Sequence, residues 1–294
     1  MRIGAFELVE PVPELRDPYA LAILRPWIDV NNVGTLVLNE LEDQFGAREL
    51  ARLAKPGHYF DFTRYRPTVH LEQGVREISV PNLTVNYARR DEGNDLLFLH
   101  LLEPHALAES YVDSVLKLLK GFGVKKYILL GSMYDAVPHT RPLILNGWAT
   151  GEGAAQELKK SGAFPSKYQG PTTITILITQ RAHQFGFESL SFIVSLPQYV
   201  VLDEDHLGKL RLMEVLNLLC GIPIDGKNFE RALEQRTAIS QRVERAPEVK
   251  SLLPELENMY DLRIKTAEIE GIPKLTSEME EIFWKTMGKD EGKA

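Results

Sequence analysis

The sequence predicts an α/β protein: a three-layer α/β/α sandwich around a mixed, mostly parallel sheet, followed by a C-terminal helical extension. Two observations support this prediction. Short apolar runs of strand length alternate with amphipathic helical segments over the first part of the chain. Beyond that part the strand pattern ends, and only helical periodicity continues. We therefore expect an α/β domain over residues 1–222 and a helical extension over residues 223–294.

The N-terminal region predicts an arm and a first β–α unit. Residues 1–18 carry scattered prolines and charges, which indicates an arm that packs loosely on the domain. Residues 20–24 form a short apolar run typical of a strand. Asn31 or Asn32 can then cap a helix that runs to about residue 45, and Gly46 ends it.

The next region is rich in β-forming residues. Between residues 67 and 90, short pieces separated by Gly74 and Pro81 predict antiparallel or mixed strands. Residues 95–102, DLLFLHLL, are nearly continuously apolar. Such a run suits a strand that is covered on both faces, in the middle of the sheet.

Strands and helices then alternate as far as residue 219. Further strands are predicted at residues 126–130, 143–149, 172–179 and 190–196. Helices are predicted at residues 106–120, 152–160, 180–185 and 204–219. This alternation is typical of parallel β–α–β units.

The helical extension carries apolar stripes. One helix of about five turns has a single face marked by Phe229, Leu233, Arg236, Ile239 and Val243. Pro247 breaks it, a second helix starts at residues 249–260, and residues 277–287 show a small apolar face. These stripes must be covered, either by the α/β domain or by a second subunit.

Charge and composition limit the partners. The chain has 41 acidic and 34 basic residues, a net charge of −7, and no basic stripe that could follow a phosphate backbone. No apolar segment approaches the length of about 18 residues that a membrane span needs. The one cysteine, Cys220, lies in an apolar run. We expect a cytoplasmic protein that binds neither nucleic acid nor membrane, with an inert buried thiol.

Ligands of α/β proteins usually bind at the carboxyl ends of the parallel strands. The polar residues that follow the predicted strands therefore mark a candidate ligand-binding crevice. Its candidates are Glu103, Ser132, Asp135, His139 and Arg141. No metal-ligand spacing and no glycine-rich phosphate motif is present in the sequence, so we expect neither a metal nor a cofactor.

The segment GSMYDAVPHTRP, residues 131–142, is the most informative stretch. Proline pushes the residue before it toward an extended conformation, which places His139 and Arg141 on the same side of the chain. Together with Asp135 and Glu103 they could bind an anion or move a proton. Alternatively, Arg141 forms a structural ion pair with a carboxylate while His139 bonds to the backbone. Both interpretations remain open at this point.

An ordered set of short motifs resembles a known family. The motifs are YFDFTRYRP at 59–67, LLEP at 101–104, LLGSMYDAVPHTRP at 129–142, YQGPTTI at 168–174 and SLPQYV at 195–200. Their order over residues 18–222 is similar to that of the proteasome assembly chaperone family of the second-subunit type, in its bacterial and archaeal branch. The resemblance implies a fold similar to that of phosphorylase- and hydrolase-like nucleoside enzymes, together with self-association, most often as a trimer.

Three hypotheses for function follow. In the first, an oligomeric chaperone or scaffold acts on a protein client through its surfaces, as the resemblance implies. In the second, an enzyme or small-ligand binder uses the strand-end crevice on a phosphate- or carboxylate-bearing substrate. In the third, the protein is a structural subunit, and the 131–142 segment only locks an oligomer together.

Overall fold

The computed structural model describes residues 1–72 and 74–269. Within them, a mixed sheet of ten strands lies between two layers of helices, and a separate two-stranded hairpin is formed by β5 and β6. The predicted α/β fold is confirmed. None of the helices in this part of the chain is long and apolar enough to cross a bilayer.

The strands are β1 (Arg2–Ile3), β2 (Phe6–Leu8), β3 (Tyr19–Arg25), β4 (Arg48–Leu53), β5 (Thr68–Glu72), β6 (Val75–Ser79), β7 (Thr84–Ala88), β8 (Leu96–Leu102), β9 (Lys126–Asp135), β10 (Leu145–Thr150), β11 (Phe164–Pro165) and β12 (Glu188–Pro197). Their order across the large sheet is β1-β2-β4-β7-β8-β3-β9-β12-β10-β11. The centre, β8-β3-β9-β12, is parallel, whereas β1, β2, β4 and β7 pair antiparallel. The candidate site therefore has to be sought where the central strands end.

The helices are α1 (Val33–Phe45), α2 (Ala108–Gly121), α3 (Glu152–Lys160), α4 (Thr175–Arg181), α5 (His206–Cys220), α6 (Gly226–Glu244) and α7 (Pro247–Ile269). One apolar layer joins the sheet to α1, α3 and α5. The other joins it to α2 and α4. Each face of the central strands is thus buried, which explains the continuous apolar run of β8.

The two C-terminal helices α6 and α7 pack on the α/β core of their own chain. Ile239 and Val243 of α6 pack with Val200, which follows β12. Tyr260 of α7 packs with Val137 and Ile144 at the ends of β9 and β10. The apolar faces formed by these residues of α6 and α7 are therefore covered by the α/β domain of the same chain. The helix suggested at residues 277–287 lies outside the described residues.

Two local predictions were wrong, and one strand was missed. Residues 172–179 were expected to form a strand, but α4 occupies most of them, because Ile174, Ile178 and Ala182 recur every four residues and pack together into the core. Residues 1–18 are not a loose arm, since Phe6 and Leu8 alternate into the core and β2 joins the sheet. The strand β4 was not predicted at all.

Candidate functional site

The strand β9 is longer than the sequence suggested, and this changes the position of two candidate residues. It extends to Asp135, so Ser132 and Asp135 lie within a strand and not in the loop after it. The Ser132 hydroxyl donates to the carbonyl of Val30 at 2.6 Å, and the residue is fully buried. Ser132 therefore fixes the loop after β3 to β9, and its hydroxyl is not available to a ligand.

Asp135 binds the last helix. Its Oδ2 accepts hydrogen bonds from Ser195 Oγ at 2.7 Å and from Arg263 Nη1 at 2.9 Å. Arg263 Nη2 also donates to Asn146 Oδ1 at 2.7 Å. Burial alone would raise the pKa of Asp135, but the hydrogen bonds from Ser195 and Arg263 outweigh it and lower the pKa. The carboxylate ties β9, β12 and α7 together.

The VPHTRP segment (residues 137–142) follows β9 and contacts both C-terminal helices. Arg141 Nε and Nη2 donate to the two carboxylate oxygens of Asp261, each at 3.2 Å, and its Nη1 lies 3.3 Å from Glu257. The Thr140 hydroxyl donates to Glu257 Oε1. The hydrogen bond from Arg141 lowers the pKa of Asp261. Arg141 thus makes the kind of ion pair that the structural interpretation predicted.

His139 is buried beside Tyr199. Its backbone N–H donates to the Tyr199 hydroxyl at 2.7 Å, and its Nδ1 lies 2.9 Å from the same oxygen. The structural interpretation had expected the His139 ring to bond to the backbone. It bonds to the side chain of Tyr199 instead. Burial, reinforced by the charge of Arg236, lowers the pKa of His139.

Glu103 lies at the end of β8, where its contacts are with other elements. Its Oε1 accepts the backbone N–H of Ile174 at 2.9 Å, and its carbonyl accepts from the Tyr65 hydroxyl at 3.2 Å. Burial raises the pKa of the Glu103 carboxyl. The five candidate residues therefore do not form one crevice.

A cavity of about 110 Å³ lies between the VPHTRP segment, α5 and α6. Of the five candidates, His139 and Arg141 line it. The other polar lining residues are Asp205, Arg211, Glu214 and Arg236. The sequence did contain a signal for Arg236, because it stands on the apolar face of its helix, and a charge there is expected to meet a partner inside the protein. Arg211 and Glu214 gave no comparable signal.

The described residues hold no group of three histidine, cysteine or acidic side chains that could bind a metal ion. Cys220 is partly buried, and desolvation of its thiol raises the pKa to about 12. A thiol with such a pKa is a poor nucleophile. What the 131–142 region offers chemically is the partly exposed guanidinium of Arg141 and the buried imidazole of His139 next to one cavity.

The comparisons with known proteins agree with the fold. A PAC2 family protein from Streptomyces avermitilis is 25% identical, with a TM-score of 0.73 over 82% of this chain and 99% of that chain. A proteasome-assembly chaperone homologue from Mycobacterium tuberculosis is 19% identical, with a TM-score of 0.72 over 81% and 99% of the two chains. The archaeal proteasome activator PbaB from Pyrococcus furiosus is 18% identical, with a TM-score of 0.63 over 83% and 100%.

No curated protein matches the sequence significantly. The model of the PAC2 family, however, matches residues 23–246, which run from β3 through α6 and include the VPHTRP segment. This match covers most of the chain and extends past the end of the predicted α/β domain. The chain therefore belongs to the PAC2 family.

Proposed function

We propose that this protein is an oligomeric, cytoplasmic, chaperone-like protein that acts on a protein client through its surfaces. Membership of the PAC2 family supports this proposal. So do the relatives of known structure, which include a proteasome-assembly chaperone homologue and a proteasome activator. The client that these relatives suggest is a subunit of a ring-forming protease.

The observation that carries the proposal is the β5–β6 hairpin. Val69 pairs with Ile78 and Leu71 with Arg76, so these four side chains share one face. Val69, Leu71 and Ile78 are 61%, 71% and 68% exposed. Exposed apolar clusters of this kind mark sites of protein–protein interaction.

The hairpin is also incomplete as a structural unit. Among residues 1–72 and 74–269, no further strand pairs with the outer edges of these two strands. A two-stranded hairpin alone is at best marginally stable in water. Among the described residues of the two strands, Arg76 is the one charged side chain on the apolar face. We infer that the occupant is an extended apolar segment of the client, with an acidic residue placed against Arg76.

Self-association uses a different surface in this proposal. The outer face of α7 exposes Leu252, Met259, Leu262 and Ile269. Their spacings of seven, three and seven residues are those of a coiled-coil seam. This seam fits a second copy of the helical extension at residues 223–294, and the family resemblance favours a trimer.

Native mass spectrometry of the protein purified gently from its own source tests the proposal. The wild-type protein is expected to carry an identified protease subunit on a homo-oligomer. Leu71→Ser with Ile78→Ser should remove the client and leave the oligomer, while the control Leu218→Ser, an exposed apolar residue on α5, should change neither. Met259→Glu should lower the fraction of the protein that is oligomeric. A monomer without any protein partner would contradict the proposal.

A further inference from the structure

The carboxyl ends of β3 and β8 form a part of the molecule that the proposed function does not use. The two strands are parallel neighbours at the centre of the sheet, and they end side by side at Arg25 and Leu102. The chain leaves β3 toward α1 on one face of the sheet and leaves β8 toward α2 on the other face. Ligands of open α/β sheets bind at neighbouring strand ends whose connections separate in this way.

Three of the short sequence motifs meet at this place. The LLEP motif supplies Glu103, whose backbone N–H donates to the carbonyl of Arg25 at 3.3 Å. The YFDFTRYRP motif supplies Tyr65, whose hydroxyl donates to the carbonyl of Glu103 at 3.2 Å. The YQGPTTI motif supplies Ile174, whose backbone N–H donates to Glu103 Oε1 at 2.9 Å. Segments that are distant in the chain are therefore bonded to one another around the end of β8.

Two polar side-chain atoms at this place are buried and make no hydrogen bond. They are the Nε of Arg25 and the Oε2 of Glu103. Buried donors and acceptors in native proteins are nearly always paired, because an unpaired one loses its bonds to water without replacement. One donor and one acceptor therefore remain for a molecule that binds between the two strand ends.

The charges of Arg25 and Glu103 are opposite, yet the two side chains are not among the ion pairs that the described residues form. Burial raises the pKa of the Glu103 carboxyl, and the hydrogen bond from Ile174 offsets this only in part. Burial also raises the pKa of Tyr65, and there the charge of Glu103 adds to the shift while that of Arg25 opposes it. Tyr65 thus lies within electrostatic reach of both charges, and each of them still lacks a counter-charge of its own.

We propose that Arg25 and Glu103 bind a small zwitterion between the ends of β3 and β8, for which an α-amino acid is the simplest form. The ammonium group of the ligand donates to Glu103 Oε2, and its carboxylate accepts from Arg25 Nε. One carbon joins the two charged groups of an α-amino acid, which suits partners carried on strands about 4.8 Å apart. A ligand with a single charge would leave one of the two buried atoms unpaired. This inference does not depend on the proposed chaperone function.

Isothermal titration of the full-length protein with a panel of L-α-amino acids tests the proposal. At least one of them should bind saturably and raise the thermal midpoint of the protein. The N-acetyl derivative and the amide of that amino acid each lack one of the two charges, so each should bind at least tenfold more weakly. A site that holds only water would show no saturable binding at millimolar concentration, and this result overturns the proposal. Equal binding of either derivative overturns it as well.

Variants assign the binding to these two residues. Glu103→Gln keeps an oxygen that can accept the Ile174 N–H but removes the charge, so binding should weaken at least tenfold. Glu109→Gln, at an exposed carboxylate on α2, is the matched control and should bind like the wild type. If Glu103→Gln does not fold, Arg25→Gln takes its place, because the Arg25 Nε has no hydrogen bond to lose, and exposed Arg66→Gln is then the control. Binding within twofold of the wild type in whichever variant folds would overturn the assignment.

The backbone amide of Ile174 gives a second readout. Its N–H donates to Glu103 Oε1, so an ammonium group bound at Oε2 of the same carboxylate should shift the amide resonance. NMR spectra of the isotopically labelled wild type, recorded with and without the amino acid that binds best, should show this shift. An unchanged Ile174 resonance in the presence of bound amino acid would place the ligand elsewhere on the protein.

Discussion

The VPHTRP segment and the β5–β6 hairpin reverse the usual distribution of polar and apolar side chains. In the segment, His139, Thr140 and Arg141 are buried or partly buried and bond to α7 or to Tyr199. In the hairpin, Val69, Leu71 and Ile78 point into solvent. The first region uses its side chains within its own chain, whereas the second leaves them exposed, where the proposed function places a partner. The comparison predicts that changes in the first cost stability and changes in the second cost binding.

The largest loss of stability is expected at the base of the VPHTRP segment. Asp135→Ala removes the acceptor of Ser195, Arg263 and the Ala136 amide, and the buried Ser195 hydroxyl is left without an acceptor. The free energy of unfolding should fall by about 2 kcal/mol, measured by urea denaturation. The control Asp203→Ala, at an exposed carboxylate, should change it by less than about 0.5 kcal/mol. Equal losses in Asp135→Ala and Asp203→Ala would contradict the prediction that the bonds of Asp135 stabilise the fold.

The ion pair between Arg141 and Asp261 should contribute less. Both side chains are partly exposed, at 27% and 47%, so solvent screens the attraction. Arg141→Ala is expected to lower the free energy of unfolding by about 1 kcal/mol. A double-mutant cycle with Asp261→Ala should give a coupling of about 0.5 kcal/mol. Strict additivity would show that the pair contributes nothing.

The buried His139 should make stability depend on pH. Its pKa is lowered in the folded protein by burial and by Arg236, so the unfolded chain binds the proton more readily. Stability should therefore be complete above the unfolded pKa of about 6.5 and fall as the pH drops toward the folded pKa, with a slope of at most about 1.4 kcal/mol per pH unit.

His139→Gln should abolish this part of the slope, measured by denaturation between pH 7.5 and pH 5. His183→Gln, at an exposed histidine, serves as the control and should keep the slope of the wild type. A wild-type slope that survives in His139→Gln would assign the pH dependence to other groups.

The smallest effect on stability is expected in the hairpin. Leu71→Ser with Ile78→Ser replaces exposed side chains and should leave the free energy of unfolding within about 0.5 kcal/mol of the wild type. The same double variant is the one expected to lose the client. A loss of several kcal/mol would mean that these side chains already pack within the protein.

The sequence predicted the elements whose packing is simple. β8 could be recognised because both of its faces are covered, and α6 because its apolar positions recur at helical spacing. The failures have physical causes. The β-branched residues of α4 favour a strand, whereas the spacing of its apolar positions favours a helix. The prediction followed the residue preference and was wrong. The pairing of β2 with β4 depends on contacts between residues far apart in the chain, which no local pattern reports.

The candidate site was less predictable than the fold. The sequence drew attention to His139 and Arg141, but their partners Tyr199, Glu257 and Asp261 are distant in the chain. Ser132 and Asp135 lie within β9 because the strand is longer than predicted. Strand ends are poorly defined by sequence patterns. Arg236 was visible as a charge on an apolar helix face, yet its position beside His139 required the structure.

The bonds between the VPHTRP segment and α7 also have a consequence for folding during synthesis of the chain. Arg141 and Asp261 are separated by 120 residues. A ribosome adds about 5–20 residues per second, so Asp261 is made roughly 6–24 s after Arg141. During that interval Arg141 lacks Asp261, its partner on α7. Thr140 and Asp135 likewise lack their partners on that helix. A chain truncated before α7 would lack these partners permanently, so its VPHTRP segment would keep an unpaired arginine next to the core.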